Sequence, residues 1–303
     1  MGDSKMKRIQ LNEKRKSSVF VFLMLLIPVV HFIIFWFGVN FNSLRLAFTS
    51  IDLKTGNTSW SLDHFATLGN MMKTGEIRMA LTNTLLTWLL NMLLVPWALF
   101  LSYFLYKKIP LGGMWKTLLF LPSILPAIAM TSIFRYMIEP DGPVGQLILA
   151  MTGEEATNLL AFNSTAKWTV LAYIFWTNFG GQFILLSGAM AKIPKSLLEA
   201  ANLDGAGLGS EFFKVVLPLC WPTLSMILIL NISSLFTASG PLLLLTKGMG
   251  ETKTISYWIF ERVQGSTTLG LPAALGIACT VILFPIVMIA KWAMTKVYAD
   301  VEF

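Results

Sequence analysis

The sequence predicts an all-α polytopic membrane protein with six transmembrane helices. Hydrophobic residues make up 55% of the 303 positions and charged residues only 13%, against about 25% charged residues in a typical soluble domain. The charged residues are clustered, so several stretches of about 20 residues carry none, and a helix of that length spans the roughly 30 Å hydrocarbon core of a bilayer. Open sheet edges are excluded from that core, and helices are therefore the expected spanning elements.

Each of the six spans is an apolar stretch bounded by polar or charged residues. We expect them at about residues 19–39, 79–105, 118–137, 168–190, 216–245 and 269–290. The first stretch has a basic flank but is long and lacks a small-residue cleavage site, so we interpret it as a retained span. In the connection at 40–78, the run SWSLDHFATLGNMM is expected to form a short surface helix.

The spans divide the chain into four parts. They are an N-terminal tail at 1–18, a first transmembrane helix with its following loop at 19–78, a five-helix core at 79–290 and a C-terminal tail at 291–303. No piece between spans is long enough for a conventional enzymatic domain, so the membrane-embedded body dominates the protein. Cys220 and Cys279 lie in apolar stretches without metal-binding or disulfide spacing, and we interpret them as packing residues.

Lysine and arginine residues indicate the orientation of the spans, because they accumulate in cytoplasmic connections. Of the 23 basic residues, 14 lie in the N-terminal tail, the second connection (106–117), the fourth connection (191–215) and the C-terminal tail. That face carries a net charge of +7, whereas the opposite face is neutral. We therefore expect both termini and the fourth connection in the cytoplasm. Membrane topology accounts for the excess of basic residues, and no nucleic-acid partner is implied.

The fourth connection is predicted to contain two short helices separated by a turn. Ser196 and Glu199 have the spacing of a capping box, in which each side chain bonds a backbone N–H at the start of the helix. Asp204-Gly205 is expected to end this helix, because glycine takes the left-handed conformation favoured after a helix C-terminus. Ser210 is expected to cap the second helix, with Glu211 in its first turn.

This helix–turn–helix has two interpretations on residue chemistry alone. It is an ordinary connection that happens to be helical, with Glu199 acting only as a cap. Alternatively, it is a docking site for a cytoplasmic protein, because the small residues Ala200, Ala201 and Gly205 leave the backbone open to close approach.

The run EAANLDGAGLGSEFFKVVLPLCWP, which begins at Glu199, resembles the EAA motif of ABC importer permeases. The Glu-Ala-Ala, glycine, aliphatic residue and Leu-Pro of that motif correspond here to Glu199, Ala200, Ala201, Gly205, Val215, Leu217 and Pro218. Val215 stands where isoleucine is commoner in the family. Since charge placement independently puts this connection in the cytoplasm, the resemblance favours the docking interpretation.

Further stretches resemble the carbohydrate-uptake, maltose-type branch of these permeases. They are Thr82-Asn83-Thr84, FLPSILPAI at 120–128, FWTNFGGQFILLSGAM at 175–190 and TKGMGETKTISYWIFERV at 246–263. Many relatives have Gly-Gly-Pro where this chain has Gly248-Met249-Gly250, a departure that bears on the substrate class and not on the fold. An extra first span before a five-helix core also suits the maltose-type subunit.

The resemblance implies the type I fold of ABC importer permeases and a place in a bacterial plasma membrane. It assigns coupling to a cytoplasmic ATPase to Glu199, Ala200, Ala201, Asp204, Gly205 and Ala206. ATP-driven closure of two ATPase subunits would move this helix and switch the permease between inward- and outward-facing states. The implied partners are those two ATPase subunits, a second homologous permease and an extracytoplasmic solute-binding protein. The implied substrate is a sugar, with an oligosaccharide preferred and glycerol phosphate or a polyol as alternatives.

Other functional classes fit the sequence less well. A secondary transporter usually needs an intramembrane carboxylate or histidine, and the predicted spans contain no Asp or Glu and only His31, which we interpret as a packing or hydrogen-bonded residue. No charged ring or filter-like repeat indicates an ion channel. No G-x-x-x-x-G-K-[ST] phosphate loop occurs, so ATP and Mg²⁺ are expected on the partner subunits, and no cofactor or metal is expected on this chain.

Polar side chains inside the spans are the candidates for the substrate path, because such residues tend to face the bundle interior or a wet cavity. The two pairs with helical spacing are Asn178 with Gln182 in the fourth span and Asn231 with Ser234 in the fifth. Sugars need hydrogen-bonding amides and aromatic platforms, and Tyr173 and Trp176 lie near the first pair. The alternative is that these amides only bridge neighbouring helices.

Overall fold

The computed structural model describes residues 2–51, 58–107, 109–237, 241–265 and 268–297. Helix α1 (Gly2–His31) continues through a π-helical turn (Phe32–Phe37) into α2 (Gly38–Ala47). Two short strands follow, β1 (Thr49–Ile51) and β2 (Thr58–Trp60), and they pair antiparallel. This hairpin is the one sheet among the described residues, so the predicted all-α class is confirmed apart from a small addition in a connecting loop.

Helices make up most of the remaining chain. They are α3 (Asp63–Thr74), α4 (Glu76–Tyr106), α5 (Gly112–Ile124), α6 (Ala127–Ile138), α7 (Pro143–Thr152), α8 (Asn163–Ala191), α9 (Lys195–Leu203), α10 (Leu208–Glu211), α11 (Leu217–Ser233), α12 (Leu242–Leu245), α13 (Ile255–Gly265) and α14 (Gly270–Val297). A second π-helical turn (Phe212–Val216) joins α10 to α11. Helix α3 confirms the short helix predicted after the first span.

Among the described residues, five helices are long and apolar enough to cross a membrane. They are Lys16–Ala47, Glu76–Tyr106, Asn163–Ala191, Leu208–Ser233 and Gly270–Val297. They confirm the first, second, fourth, fifth and sixth predicted spans as helices. The last one continues to Val297, beyond the end predicted at residue 290.

The third predicted span, at 118–137, corresponds to a broken span, and with it the described residues supply up to six spans. The segments Gly112–Ile124 and Ala127–Thr152 meet at 107°. Between them, Leu125 and Pro126 are extended, with ψ of 145° and 137°. Helical backbone is disfavoured in the residue before a proline, and proline has no N–H to continue the helical bonding, so the Leu-Pro pair breaks the span.

The fifth predicted span, at 216–245, is also too long. Helix α11 ends at Ser233, a turn follows, and α12 begins only after Pro241. Ser234 donates its hydroxyl to the Asn231 carbonyl oxygen at 2.9 Å, which is the local bonding that competes with helix continuation. Residues 238–240 lie outside the described part of the chain.

The chain forms two compact units, one of residues 1–67 with 266–277 and the other of residues 68–265 with 278–303. In the first unit, His64 of α3 places Nε2 3.1 Å from the Thr49 carbonyl oxygen of β1. The apolar part of its long N-terminal helix has no buried residue. A helix that is apolar all round suits contact with lipid or with another membrane helix. The His31 ring, on the same helix, lies 4.7 Å from that of Phe35.

In the second unit, α4, α8 and α11 pack side by side around a common core. Its fully buried members include Ala98 of α4, Phe183, Leu186 and Met190 of α8, and Cys220 of α11. A second cluster joins α6, α8, α12 and α13 through residues such as Phe134, Tyr173, Leu242 and Tyr257. Cys220 and Cys279 are both buried and free of disulfides, as expected of packing residues.

Of the three glycines in α8, Gly180 lies closest to α5. A Cβ added there would lie 2.7 Å from both the Leu119 carbonyl oxygen and Ser123 Oγ. Small residues allow membrane helices to pack with their backbones in near contact. This position therefore requires glycine for packing and not for backbone conformation.

We expect Gly180→Ala to destabilise the protein by about 1–3 kcal/mol, since overpacking a tight contact has that cost. Thermal unfolding in detergent, followed by tryptophan fluorescence, measures the change. Gly188→Ala, on the same helix, is the matched control, because a Cβ there meets no atom within 4 Å. Equal unfolding temperatures for the two variants would contradict the close contact between α5 and α8.

Candidate functional site

The first candidate site is the α9–α10 hairpin, residues 193–211, which lies between the fourth and fifth spans. Helix α9 begins at Lys195, directly after Pro194 in the N-cap position, and no side chain caps it. The predicted capping box of Ser196 and Glu199 is therefore wrong. Pro194 has extended backbone with ψ of 131° and its φ is fixed by the ring, so the helix starts immediately after it and places Ser196 inside the first turn.

The turn after α9 confirms the prediction for Gly205. This residue has a φ of +75°, and the Ala206 and Gly205 N–H groups donate to the carbonyl oxygens of Ala201 and Asn202 at 2.9 and 3.1 Å. That pair of bonds is the Schellman motif, which satisfies carbonyls at a helix C-terminus. A Cβ on Gly205 would meet nothing within 4 Å, so backbone conformation and not crowding calls for glycine here.

The surface of the hairpin is open and partly apolar. Glu199, Ala200, Asp204 and Gly205 are exposed, and Ala201 and Ala206 are half-buried. Two leucines beside the turn were not singled out from the sequence: Leu203 is 89% exposed and Leu208 is 60% exposed. Their position could have indicated them, because each is an apolar residue directly beside the turn at 204–207. Together these side chains form a protruding surface with small residues at its centre.

Two buried apolar residues hold the hairpin on the membrane-embedded core. Ile193, before α9, and Leu198, within it, are 6% and 7% exposed and belong to the cluster formed by α4, α8 and α11. The amphipathic pattern of α9 thus places one side against the core and leaves the Glu199 side free.

Glu211 makes contacts with α4 that its place at the start of a helix did not indicate. Helix α10 begins after Gly207, without a side-chain cap, so the predicted cap at Ser210 is wrong, whereas Glu211 lies in the first turn as predicted. Its carboxylate is 1% exposed and lies 2.6 Å from Lys107 Nζ, just after α4. Tyr103 of α4 donates to its other oxygen at 3.1 Å. Only tertiary packing brings these residues together, since they are more than 100 positions apart.

The second candidate site is a cavity of about 710 Å³ inside the second unit. Its walls come from α4, α5, α6, α8, α11 and the segment around α12, and include Asn91, Ser123, Tyr173, Thr177, Asn178, Gly181, Gln182, Asn231 and Ser234. All four substrate-path candidates therefore line one cavity. Tyr173 lines it as well, whereas the Trp176 ring packs 6.1 Å from that of Phe134.

The amides of the cavity also bond to one another across helices. Asn178 Nδ2 donates to Asn91 Oδ1 at 2.9 Å, and Gln182 Nε2 lies 3.4 Å from Asn231 Oδ1 and from the Asn91 carbonyl oxygen. Gln182 Oε1 is buried and has no hydrogen-bond partner among the described residues. These amides bridge α4, α8 and α11, as the second interpretation expects. Their place in the cavity lining leaves the substrate-path interpretation as a prediction.

Asn83 of α4, from the Thr-Asn-Thr stretch, has a different role. Its Nδ2 donates to the carbonyl oxygens of Glu251 and Lys253 at 2.6 and 2.9 Å. Thr84 Oγ1 accepts a bond from the Ile255 N–H at 2.9 Å. These bonds fasten the loop before α13 to the start of α4, at the end opposite the α9–α10 hairpin.

A bundle of membrane-crossing helices, an internal polar cavity and an exposed rigid hairpin together define a membrane transport component. The chain belongs to the family described as the binding-protein-dependent transport system inner membrane component, whose sequence model matches residues 94–302. It is thus a multi-pass inner-membrane permease subunit. The ion-coupled secondary transporter considered from the sequence is excluded by this membership.

Similar proteins agree with this assignment. The chain is 28% identical to the probable ABC transporter permease protein YesP of Bacillus subtilis, over 82% of this chain and 81% of that protein. It is also 28% identical to the galactooligosaccharides transport system permease protein GanP of the same organism, over 82% of this chain and 63% of that protein. Its fold matches a chain of the bacterial alginate ABC transporter crystallised with an alginate pentasaccharide-bound periplasmic protein, with a TM-score of 0.81 over 95% of this chain and 98% of that one, at 19% identity. This likeness shows the type I ABC importer permease fold.

Proposed function

We propose that this permease carries a neutral sugar, preferably an oligosaccharide, through the cavity lined by Asn178, Gln182, Asn231 and Ser234. The observation that carries the proposal is the chemistry of the wall. Within the described residues, the cavity lining includes four amides and several hydroxyls but no Asp, Glu, Lys, Arg or His. A volume of about 710 Å³ falls within the roughly 300–1,000 Å³ of typical ligand sites.

The wall chemistry favours a sugar over glycerol phosphate. A phosphate removed from water needs cations or several charge-assisted donors, and the described lining of the cavity contains no cationic side chain. Sugar hydroxyls, in contrast, exchange hydrogen bonds with neutral amides and hydroxyls, the polar groups that line this cavity.

We propose further that the α9–α10 hairpin docks into a cytoplasmic ATPase subunit. Its exposed Leu203 and Leu208 would enter an apolar cleft, and the small residues Ala200, Ala201 and Gly205 would allow the backbones to approach closely. The partner subunits would bind ATP and Mg²⁺, and a second homologous permease would complete the membrane part. An extracytoplasmic binding protein would deliver the sugar at the opposite face, with both termini of this chain in the cytoplasm.

Uptake by the whole complex tests the sugar assignment. The chain is reconstituted in vesicles with its second permease, ATPase subunits and binding protein, and is offered labelled neutral galacto- and gluco-oligosaccharides and glycerol phosphate. We expect ATP-dependent uptake of at least one neutral oligosaccharide and none of glycerol phosphate. Uptake of glycerol phosphate without any neutral sugar would contradict the proposal.

A further inference from the structure

Glu211 is a buried carboxylate at the junction between the α9–α10 hairpin and the turn that leads into α11. Its side chain is 1% exposed, and its cationic partner among the described residues is Lys107, at 2.6 Å. A buried charge is tolerated only when it is paired and hydrogen-bonded. The pair therefore fixes the position of the hairpin relative to the end of α4.

Three side chains on one face of the last turn of α4 hold the hairpin at two places. Tyr103 OH donates to Glu211 Oε1 at 3.1 Å and also lies 3.3 Å from the Leu208 carbonyl oxygen. Tyr106 OH donates to the Ile193 carbonyl oxygen at 3.3 Å. Lys107 completes the set, because positions i, i+3 and i+4 share a helix face. The hairpin is thus attached to α4 both before α9 and after the turn.

Helix α4 leads from these contacts to the cavity. Asn91 of α4 lines the cavity and bonds Asn178 of α8, and the 16 residues from it to Lys107 correspond to about 24 Å of helix. Helix α11, which carries Asn231, follows the hairpin directly through the π-helical turn. Helix α8 ends at Ala191, directly before the hairpin. Movement of the hairpin therefore reaches α8 and α11 through the covalent chain, whereas it reaches α4 through non-covalent contacts, among which those of Tyr103 and Lys107 act directly.

We propose that Tyr103, Lys107 and Glu211 form a latch that makes α4 move with the α9–α10 hairpin. They are positioning residues, since none of them touches the substrate. The inference rests on the proposed docking of the hairpin to an ATPase. Without the latch, the hairpin keeps its Tyr106–Ile193 bond to α4 but loses the attachment after the turn, so α4 follows its movement only in part. ATP hydrolysis then continues while the cavity opens incompletely.

The ratio of sugar imported to ATP hydrolysed by the reconstituted complex tests the latch. We expect Lys107→Met to lower this ratio at least about fivefold, the lower end of typical coupling between sites. Lys107→Arg should restore it, because the charge is kept. Lys116→Met is the matched control: Lys116 is an exposed lysine of α5 and should leave the ratio unchanged. The amount of ATPase co-purified with each variant reports assembly.

A second variant covers the case in which an unpaired Glu211 prevents folding. Lys107→Met combined with Glu211→Gln removes both charges and keeps a hydrogen-bond acceptor for Tyr103, and it should show the same low ratio. If a variant assembles with its ATPase and its ratio of sugar imported to ATP hydrolysed is unchanged, the latch is wrong. The latch is also wrong if both variants lose assembly and their ATP hydrolysis and sugar uptake fall in parallel. If Gly205→Val abolishes uptake while the latch variants stay coupled, only the latch is wrong. If Gly205→Val also leaves uptake intact, the docking proposal is wrong.

Discussion

Replacing Gly205 with valine should reduce sugar uptake by the reconstituted complex about tenfold or more while leaving membrane insertion intact. Gly205 has a φ of +75°, and left-handed backbone costs an L-residue about 1–2 kcal/mol, which corresponds to about tenfold in an equilibrium constant. A β-branched side chain adds to that cost. The turn would then leave the conformation that presents Leu203 and Leu208, and docking to the ATPase would weaken.

Uptake, ATP hydrolysis and co-purification with the ATPase measure the effect of Gly205→Val. Gly209→Ala is the matched control, since it lies in the same hairpin, has no left-handed φ and leaves its Cβ without a neighbour within 4 Å. Undiminished uptake in Gly205→Val would remove the coupling role of this turn.

Glu199→Lys separates a partner contact from turn geometry at the same site. Glu199 is exposed and its side chain makes no hydrogen bond or ion pair within the described part of the chain, so reversing its charge should not disturb this subunit. Lower uptake in that variant therefore points to a contact with the partner. Glu155→Lys, exposed in the connection between α7 and α8, is the control for charge reversal.

The second large effect is expected from Gly181→Phe, which should block transport by filling the cavity. Gly181 lines the cavity, and a Cβ there meets no atom within 4 Å, so an aromatic ring can extend into the open space without displacing the backbone. A solute that must displace this ring loses about tenfold in occupancy for each 1.4 kcal/mol of cost. We expect uptake to fall to background while the chain still assembles with its ATPase.

Two variants control for Gly181→Phe. Gly181→Ala should retain uptake, because a methyl group leaves most of the cavity open. Gly188→Phe, on the same helix and outside the cavity lining, should retain it as well. Normal transport by Gly181→Phe would show that the solute passes elsewhere.

Several features of this protein could be read directly from its residues. Apolar length predicted the five long helices, because the bilayer core demands about 20 apolar residues and internal backbone bonding. Asp204-Gly205 predicted the helix end, since the left-handed conformation is a local property of glycine. Helical spacing correctly paired Asn178 with Gln182 and Asn231 with Ser234, which share the cavity wall.

The errors arose where two local signals competed. Hydropathy favoured a third span across Leu125-Pro126, where proline breaks the helix. It also favoured a fifth span up to residue 245, whereas α11 ends at Ser233, where Ser234 bonds the local backbone. At Ser196 and Ser210, the capping patterns were present, but Pro194 and Gly207 started the helices earlier. At Pro126, Pro194 and Gly207, the backbone preferences of proline or glycine had more influence than a side-chain pattern.

The sequence by itself determined the membrane class, the position of the turn at Gly205 and the faces of the polar residues, because each depends on neighbours within one or two helical turns. Only the tertiary structure decided that Asn83 fastens a loop, that Asn91 joins the cavity wall and that Glu211 pairs with Lys107. Those contacts join residues between 87 and 170 positions apart. No local pattern specifies them, since they depend on which faces of α4, α8 and α11 meet when the helices pack.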